Sequence, residues 1–244
     1  MSEPSSVNDD FVASFWHWVK RPHWSVAAPI LLVAFTGVFA WQIFLSGSAL
    51  DEGLSELSAA YRDARPLEAR LAGFSYAPYT GGRVQANEQK CKTAERIFAA
   101  QMDKQKTAAA FYALGKLSLA QGKFDSALEQ FDAALKSDAQ LAALHNDLGV
   151  ALMEKAWQAR GNQPIDFTAS RTHWEHAMQA DRNATEPLFN QALSLQRQGM
   201  WEQAEAAWQL YLKNDVRSGW ATEAKRYLEE ITGKRKQPPT AASR

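Results

Sequence analysis

The fold of this protein is decided by residues 108–141, AAAFYALGKLSLAQGKFDSALEQFDAALKSDAQL. Small residues at Gly115 and Ala127 allow two helices to approach each other closely, because a larger side chain there would overpack their contact. Gly122 suits the end of the first helix, where a positive φ is needed. The stretch therefore predicts a pair of antiparallel helices, and the residues that carry this pattern are Phe111, Leu114, Gly115, Ala127, Phe131 and Ala134.

The same pattern returns twice, as expected for stacked helical repeats with a 34-residue period. One period after Leu114 and Gly115 lie Leu148 and Gly149, which predicts a second repeat at 142–184. The second helix of that repeat comes nine residues late, so an insertion is expected in its inter-helix turn. A third repeat is predicted at 185–218, followed by a capping helix at 219–232.

The segment upstream of these repeats is predicted to contain two more helices. Residues 47–87 combine an amphipathic helix, carried by Leu50, Leu54, Leu57 and Tyr61, with a linker loop rich in Gly and Pro. Residues 88–105 are interpreted as the second helix of an incomplete repeat, with Thr93, Ile97 and Ala100 as its packing positions. The repeat domain is thus predicted to span 88–232. The basic, proline-containing residues 233–244 are predicted to be a disordered tail.

Residues 24–46 are predicted to form a transmembrane helix, because no charged residue occurs from Trp24 to Leu50 and about 20 apolar residues span a bilayer core. Basic residues flank its start and acidic residues its end, so residues 1–23 are expected in the cytoplasm and the repeats outside it. The predicted location is the inner membrane of a bacterium. A cleaved signal peptide is the alternative, since small residues at Gly47 and Ala49 fit a cleavage site.

The repeat pattern resembles the tetratricopeptide repeat (TPR) family over roughly residues 108–232. A narrower resemblance is to the repeat region that precedes a caspase-like (CHAT) peptidase domain in some bacterial proteins. It is carried by Arg65-Pro66-Leu67-Glu68-Ala69-Arg70-Leu71, Tyr76-Ala77-Pro78-Tyr79, Asn146-Asp147-Leu148 and Pro187-Leu188-Phe189-Asn190-Gln191-Ala192-Leu193. The chain ends at Arg244 with no such peptidase domain, so a peptidase is expected to be a separate chain.

The TPR resemblance implies an α-solenoid with a concave groove that holds a peptide or helix of a protein partner. The helix period turns one stripe of each repeat away from its paired helix, and the resemblance implies that this stripe lines the groove. Its apolar residues are expected to anchor the partner, and Asn146 or Asn190 to bond its backbone. Alternatively, Tyr112 and Phe189 pack between neighbouring repeats. The predicted groove residues are Tyr112, Lys116, Leu119, Asn146, Val150, Met153, Phe189, Asn190, Leu193, Gln196 and Arg197.

Three aromatic residues of the linker loop, Phe74, Tyr76 and Tyr79, are predicted to pack against the first repeat, with a partner motif as the alternative. Three histidines are the remaining candidates for chemistry. His173 and His176 could share a metal, but no further ligand is evident in the sequence, so a solvated helix face is expected and no metal or cofactor is predicted. His145 stands at an aromatic position and is expected to be a core residue.

Composition and charge exclude several other functions. Lys and Arg together number 27, as do Asp and Glu, so no charge excess favours nucleic acid. The single cysteine, Cys91, rules out an internal disulfide. The sequence therefore predicts an all-α, membrane-anchored scaffold that binds a protein, such as a separately encoded peptidase or an envelope protein, and that contacts lipid through its anchor. A structural subunit of an envelope complex and a metal-dependent enzyme are the alternatives.

Overall fold

A computed structural model describes residues 49–82, 84–137, 141–160 and 167–236. Within these ranges the chain forms nine helices and no strand, which confirms the all-α fold class. We number the helices in chain order: α1 (49–60), α2 (Glu88–Lys104), α3 (Ala108–Ala120), α4 (Phe124–Leu135), α5 (Ala142–Ala159), α6 (Thr168–Ala180), α7 (Glu186–Arg197), α8 (Trp201–Asn214) and α9 (Gly219–Lys236).

Consecutive helices pack against each other from α2 to α9, in the manner of a stacked array. In the pair α3/α4, a Cβ added to Gly115 would lie 2.5 Å from the Phe131 ring, so the predicted close approach is present. Gly149 and Trp174 repeat this arrangement in the pair α5/α6, again at 2.5 Å. The contacts of α3 with α5 and of α5 with α7 place the first helices of successive pairs side by side. These three helices form one face of the array.

Helices α1 and α2 form an additional pair at the start of the array. A Cβ added to Gly53 would overlap the Phe98 ring, which is the same small-against-large contact as in the later pairs. The buried residues of α2 are Ala94, Phe98 and Gln101. The predicted packing positions in this helix were one residue early, and Ala100 is exposed. Residues 61–87 are therefore an insertion between the two helices of this first pair.

Local sequence signals set the helix ends. The Thr107 side chain accepts a hydrogen bond from the Ala110 N–H at the start of α3. Gly122 and Gly199 end α3 and α7 with φ values of +73° and +72°. At the other end of the array, α9 continues to Lys236, beyond the predicted boundary at 232. Lys234 lies 4.9 Å from the centre of the Trp201 ring, a cation–π contact that favours this longer helix.

The predicted transmembrane helix at 24–46 and the cytoplasmic segment at 1–23 lie outside the described residues. Among the residues that the structure describes, no helix combines the length and the apolar character needed to cross a bilayer.

Candidate polypeptide-binding groove

Part of the insertion between α1 and α2 runs along the face formed by α3, α5 and α7. We call residues 65–79 the groove segment. Its backbone or side chains bond to a residue of each of these helices and of α9. The face formed by α3, α5 and α7 therefore holds a polypeptide segment, and that segment belongs to the same chain.

The backbone of Arg70 is held by two asparagines. Its N–H donates to Asn190 Oδ1 at 2.7 Å, and its carbonyl accepts from Asn190 Nδ2 at 2.8 Å and from Asn146 Nδ2 at 3.1 Å. Asn190 Nδ2 also donates to Asn146 Oδ1 at 3.0 Å, so the two amides fix each other's orientation. Bonds to main-chain groups recognise an extended conformation rather than a particular side chain.

A second set of bonds holds Ala72, two residues further along. Its N–H donates to Asp147 Oδ1 at 2.9 Å, and its carbonyl accepts a bond from Lys116 Nζ. Asp147 also pairs with Lys116 at 3.0 Å and accepts from the Tyr112 hydroxyl at 2.9 Å. Ala72 lies in a turn in which the Phe74 N–H donates to the Leu71 carbonyl at 3.3 Å, so these bonds hold a turn of the segment in place.

Ion pairs fix the side chains of the groove segment. Glu68 accepts from Arg197 at 3.0 Å and from the Tyr227 hydroxyl at 2.8 Å, and Arg197 also pairs with Glu154 at 3.0 Å. Arg70 donates to the Tyr211 hydroxyl at 2.9 Å. In each of these contacts with the segment, one group belongs to the segment and the other to the array. Removing the segment would therefore leave half-buried polar groups of the array without these partners.

The strongest attachment is between Arg65 and Glu223 of α9. The two Arg65 terminal nitrogens lie 2.6 and 2.7 Å from the two carboxylate oxygens, and the exposed fractions of the side chains are 2% and 6%. The same guanidinium donates to the Ala77 carbonyl at 2.8 Å and stacks over the Trp220 ring. One side chain thus closes the groove segment into a loop and joins it to the last helix.

The environment of this network shifts the pKa values of several of its members, among them Tyr112 and Glu154. Burial, followed by the charge of Asp147, raises the pKa of Tyr112 well above its ordinary value, so the hydroxyl remains a donor to that carboxylate. Burial also raises the pKa of Glu154, against the opposing effect of Arg197. Both shifts follow from the exclusion of water by the groove segment and the helices around it.

The floor of the groove is apolar. Leu119, Val150, Met153 and Leu193 are all inaccessible to solvent and share one core with Ala69, Leu71 and Phe74 of the groove segment. Phe189 is also inaccessible, and its ring packs edge-on against Trp208, Tyr211, Trp220 and Tyr227.

The structure thus brings the predicted groove residues together, but most of them contact the groove segment or the core. Asn146 and Asn190 bond a backbone, as the sequence suggested, although the backbone is that of Arg70. Gln196 accepts a bond from Trp208 Nε1 at 2.9 Å. The role of these residues in binding a partner stays a prediction, and most of them can meet a partner only if the groove segment leaves.

The three aromatic residues of the linker loop spread along the array rather than pack on the first repeat alone. Phe74 stacks with Tyr61 and lies below Lys116 of α3. Tyr76 packs edge-on against Trp220 at the far end, with ring centres 5.3 Å apart. Tyr79 lies beside Arg65. Loop packing was predicted, but it extends over the whole concave face.

Comparison with known proteins identifies the fold. No protein-family model matches the sequence, and no curated protein matches it. The structure is similar to the crystal structure of a thermophilic TPR protein in Thermus thermophilus, with a TM-score of 0.50 and 16% sequence identity, over 61% of this chain and 76% of that one. The fold is TPR-like. At this identity the similarity concerns the fold and not the partner.

One part of the concave face of the TPR-like array remains open. A cleft of about 580 Å³ lies between α1, the groove segment and the starts of α3 and α5. Tyr112 and Lys116, two of the predicted groove residues, contribute to its wall. The rest of the lining comes from Asp51, Leu54, Ser55, Ser58, Ala59, Arg62, Ala72, Gly73, Phe74, Ser75 and Ala143.

The three histidines of the second repeat lie close together. His173 is half-buried, and its Nδ1 atom lies 3.0 Å from Nδ1 of His145. The His176 ring lies 5.1 Å from the His145 ring, centre to centre. His145 is buried, as predicted for a core residue, and His176 is exposed, as predicted for a solvated face. The contact among the three histidines, which form one cluster on α5 and α6, was not predicted.

Proposed function

We propose that this protein is a membrane-anchored scaffold that binds a protein partner through the open cleft on the concave face of its TPR-like array. The proposal rests on the bonds that the array makes to the backbone of a segment of its own chain. Four polar side chains on three helices hold the backbone of a segment without helix or strand, and bonds to main-chain groups are the recognition chemistry expected of a peptide-binding groove.

The groove segment is best regarded as a permanent part of the binding surface. Releasing the segment would separate the buried pair between Arg65 and Glu223, and a tethered segment also competes at an effective concentration of about millimolar. A partner that binds beside the segment avoids both costs. The cleft offers an apolar wall at Leu54 and Phe74 together with polar groups, a combination that suits one anchoring side chain of a partner.

Filling the cleft should abolish partner binding. We expect Ser55→Trp, on the exposed side of α1, to place an indole in the cleft and to reduce the co-purified partner at least about tenfold, the loss that 1.4 kcal/mol of binding energy produces. The measurement is quantitative mass spectrometry of proteins that co-purify with the full-length chain from membranes in mild detergent.

The matched control is Ser126→Trp, because Ser126 is also an exposed helical serine but does not line the cleft. This variant should keep the full partner set. If Ser55→Trp keeps it as well, the partner binds elsewhere on the array. If both variants lose it, the effect comes from the added indole and not from the cleft.

We also propose that residues 24–46 anchor the array in the inner membrane of a bacterium, with the helices outside the cytoplasm. Support comes from the uncharged stretch and from Lys20 and Arg21 before it. Partners are then envelope proteins or a separately encoded peptidase. A reporter that is active only outside the cytoplasm should work when fused after Arg244, and activity of a cytoplasm-only reporter at the same site would refute this topology.

A further inference from the structure

Three imidazoles converge on one side of the second repeat. His145 lies near the start of α5, and His173 and His176 lie one turn apart on α6. One ring nitrogen from each residue can be chosen so that all three lie within 4.8 Å of one another. The three side chains differ in exposure to solvent: His145 is buried, His173 is half-buried and His176 is exposed.

The spacing of these nitrogens fits ligands that share one ion. Two nitrogens bound to a zinc ion at about 2.0 to 2.1 Å in tetrahedral geometry lie about 3.3 Å apart, and closer at smaller angles. The two Nδ1 atoms of His145 and His173 are 3.0 Å apart. A nitrogen of each of the three rings lies within 4.8 Å of the others, and the exposure of His176 leaves room for its ring to move closer through a rotamer change.

We propose that His145, His173 and His176 bind one divalent transition-metal ion of the zinc, nickel and copper class. Imidazole nitrogen is a preferred ligand of these ions, and three such ligands leave a further coordination position open to solvent. Burial, followed by the charges of the two neighbouring imidazoles, lowers the pKa of His173 to about 4, with Asp132 opposing the shift.

Such a site has a structural reason to exist in this repeat. The turn between α5 and α6 carries the insertion, so residues 160–167 separate two helices that neighbouring pairs join by short turns. A metal bound by one histidine of α5 and two of α6 would link the two helices away from that turn, near the start of α5. The site lies outside the groove and the cleft. A test of metal binding is therefore independent of a test of the proposed partner binding.

Zinc titration of the full-length protein tests this proposal. The protein, purified in mild detergent with a tag that contains no histidine and stripped with a chelator, should bind one Zn²⁺ per chain in calorimetry, and Zn²⁺ should raise its Tm. Two variants remove ligands. His176→Gln changes an exposed residue, and His145→Phe restores an aromatic residue like that one period earlier, at Phe111. Each should weaken binding at least about tenfold, the lower limit for losing even an outer-shell partner.

The matched control replaces the other two histidines of the chain, His17 and His23, by glutamine. This double variant should bind Zn²⁺ as the parent does. The proposal is overturned if the parent shows no saturable binding, if His176→Gln binds as tightly as the parent, or if binding disappears only in the N-terminal double variant. Because His176→Gln should leave the fold intact, a folding defect in His145→Phe would not obscure the result.

Discussion

Arg65→Ala should lower the free energy of unfolding by about 3 to 5 kcal/mol, the cost of removing one partner from a buried ion pair. The substitution leaves the Glu223 carboxylate, whose side chain is 6% exposed, without its main counter-charge. It also removes the bonds that close the groove segment onto the Ala77 carbonyl and the packing over Trp220. Denaturant unfolding of the full-length protein in detergent, followed by tryptophan fluorescence, measures the effect.

Two further variants locate the cause. Arg62→Ala removes an exposed arginine three residues earlier and should change the stability by less than about 0.5 kcal/mol. Adding Glu223→Ala to Arg65→Ala should recover part of the loss, since no unpaired charge is then buried. A loss in Arg65→Ala no larger than in Arg62→Ala would show that the groove segment is not fixed to α9.

Trp208→Ala should cost about 3 to 5 kcal/mol, because it empties a large site in a core that has little freedom to collapse. The indole is inaccessible to solvent, lies 4.9 Å from the Phe189 ring and 5.2 Å from the Tyr227 ring, and donates a hydrogen bond to Gln196. The three rings belong to α7, α8 and α9, so the cavity would loosen the last three helices together. Thermal unfolding monitored by circular dichroism measures the loss.

Leu210→Ala is the control on the same helix. Leu210 is 47% exposed, and its truncation should change the stability by less than about 0.5 kcal/mol. Equal effects of the two substitutions would mean that α8 is rotated relative to the structure described above, and would count against the repeat pairing.

The helix pairs could be predicted from the sequence because the signal is local and repeated. Gly115 and Gly149 occur one period apart, and each meets a large aromatic residue of its paired helix. The pairing of α1 with α2 was not predicted, because the insertion at 61–87 places Gly53 and Phe98 more than one repeat period apart in the sequence. Repeat spacing does not detect a pair whose two helices are divided in this way.

The groove segment could not be predicted from spacing because its contacts join residues that are far apart in sequence. Arg65 and Glu223 are separated by 158 positions, and Arg70 and Asn190 by 120. A signal was nevertheless present. The predicted groove stripe contains Leu119, Val150, Met153 and Leu193, a row too apolar to face water, which is covered either by a partner or by a segment of the same chain.

The histidine cluster was missed for a related reason. His173 and His176 were evaluated without their third neighbour, because the insertion shifts α6 relative to α5 and hides which residues of the two helices meet. The Gly149 and Trp174 contact fixes that register and brings His145 beside His173. Sequence spacing within one helix identifies ligand pairs, whereas ligands on different helices need the packing register.

Amide hydrogen exchange across residues 65–79 tests the central claim, that the groove segment is a fixed part of the array. The segment has no helix or strand, so a free loop would exchange at the rate of an unstructured chain. The structure predicts strong protection at Arg70 and Ala72, whose N–H groups are bonded to Asn190 and Asp147, and fast exchange at exposed Ser75. Exchange of the Arg70 and Ala72 amides as fast as that of Ser75, in the full-length protein in detergent, would contradict the account.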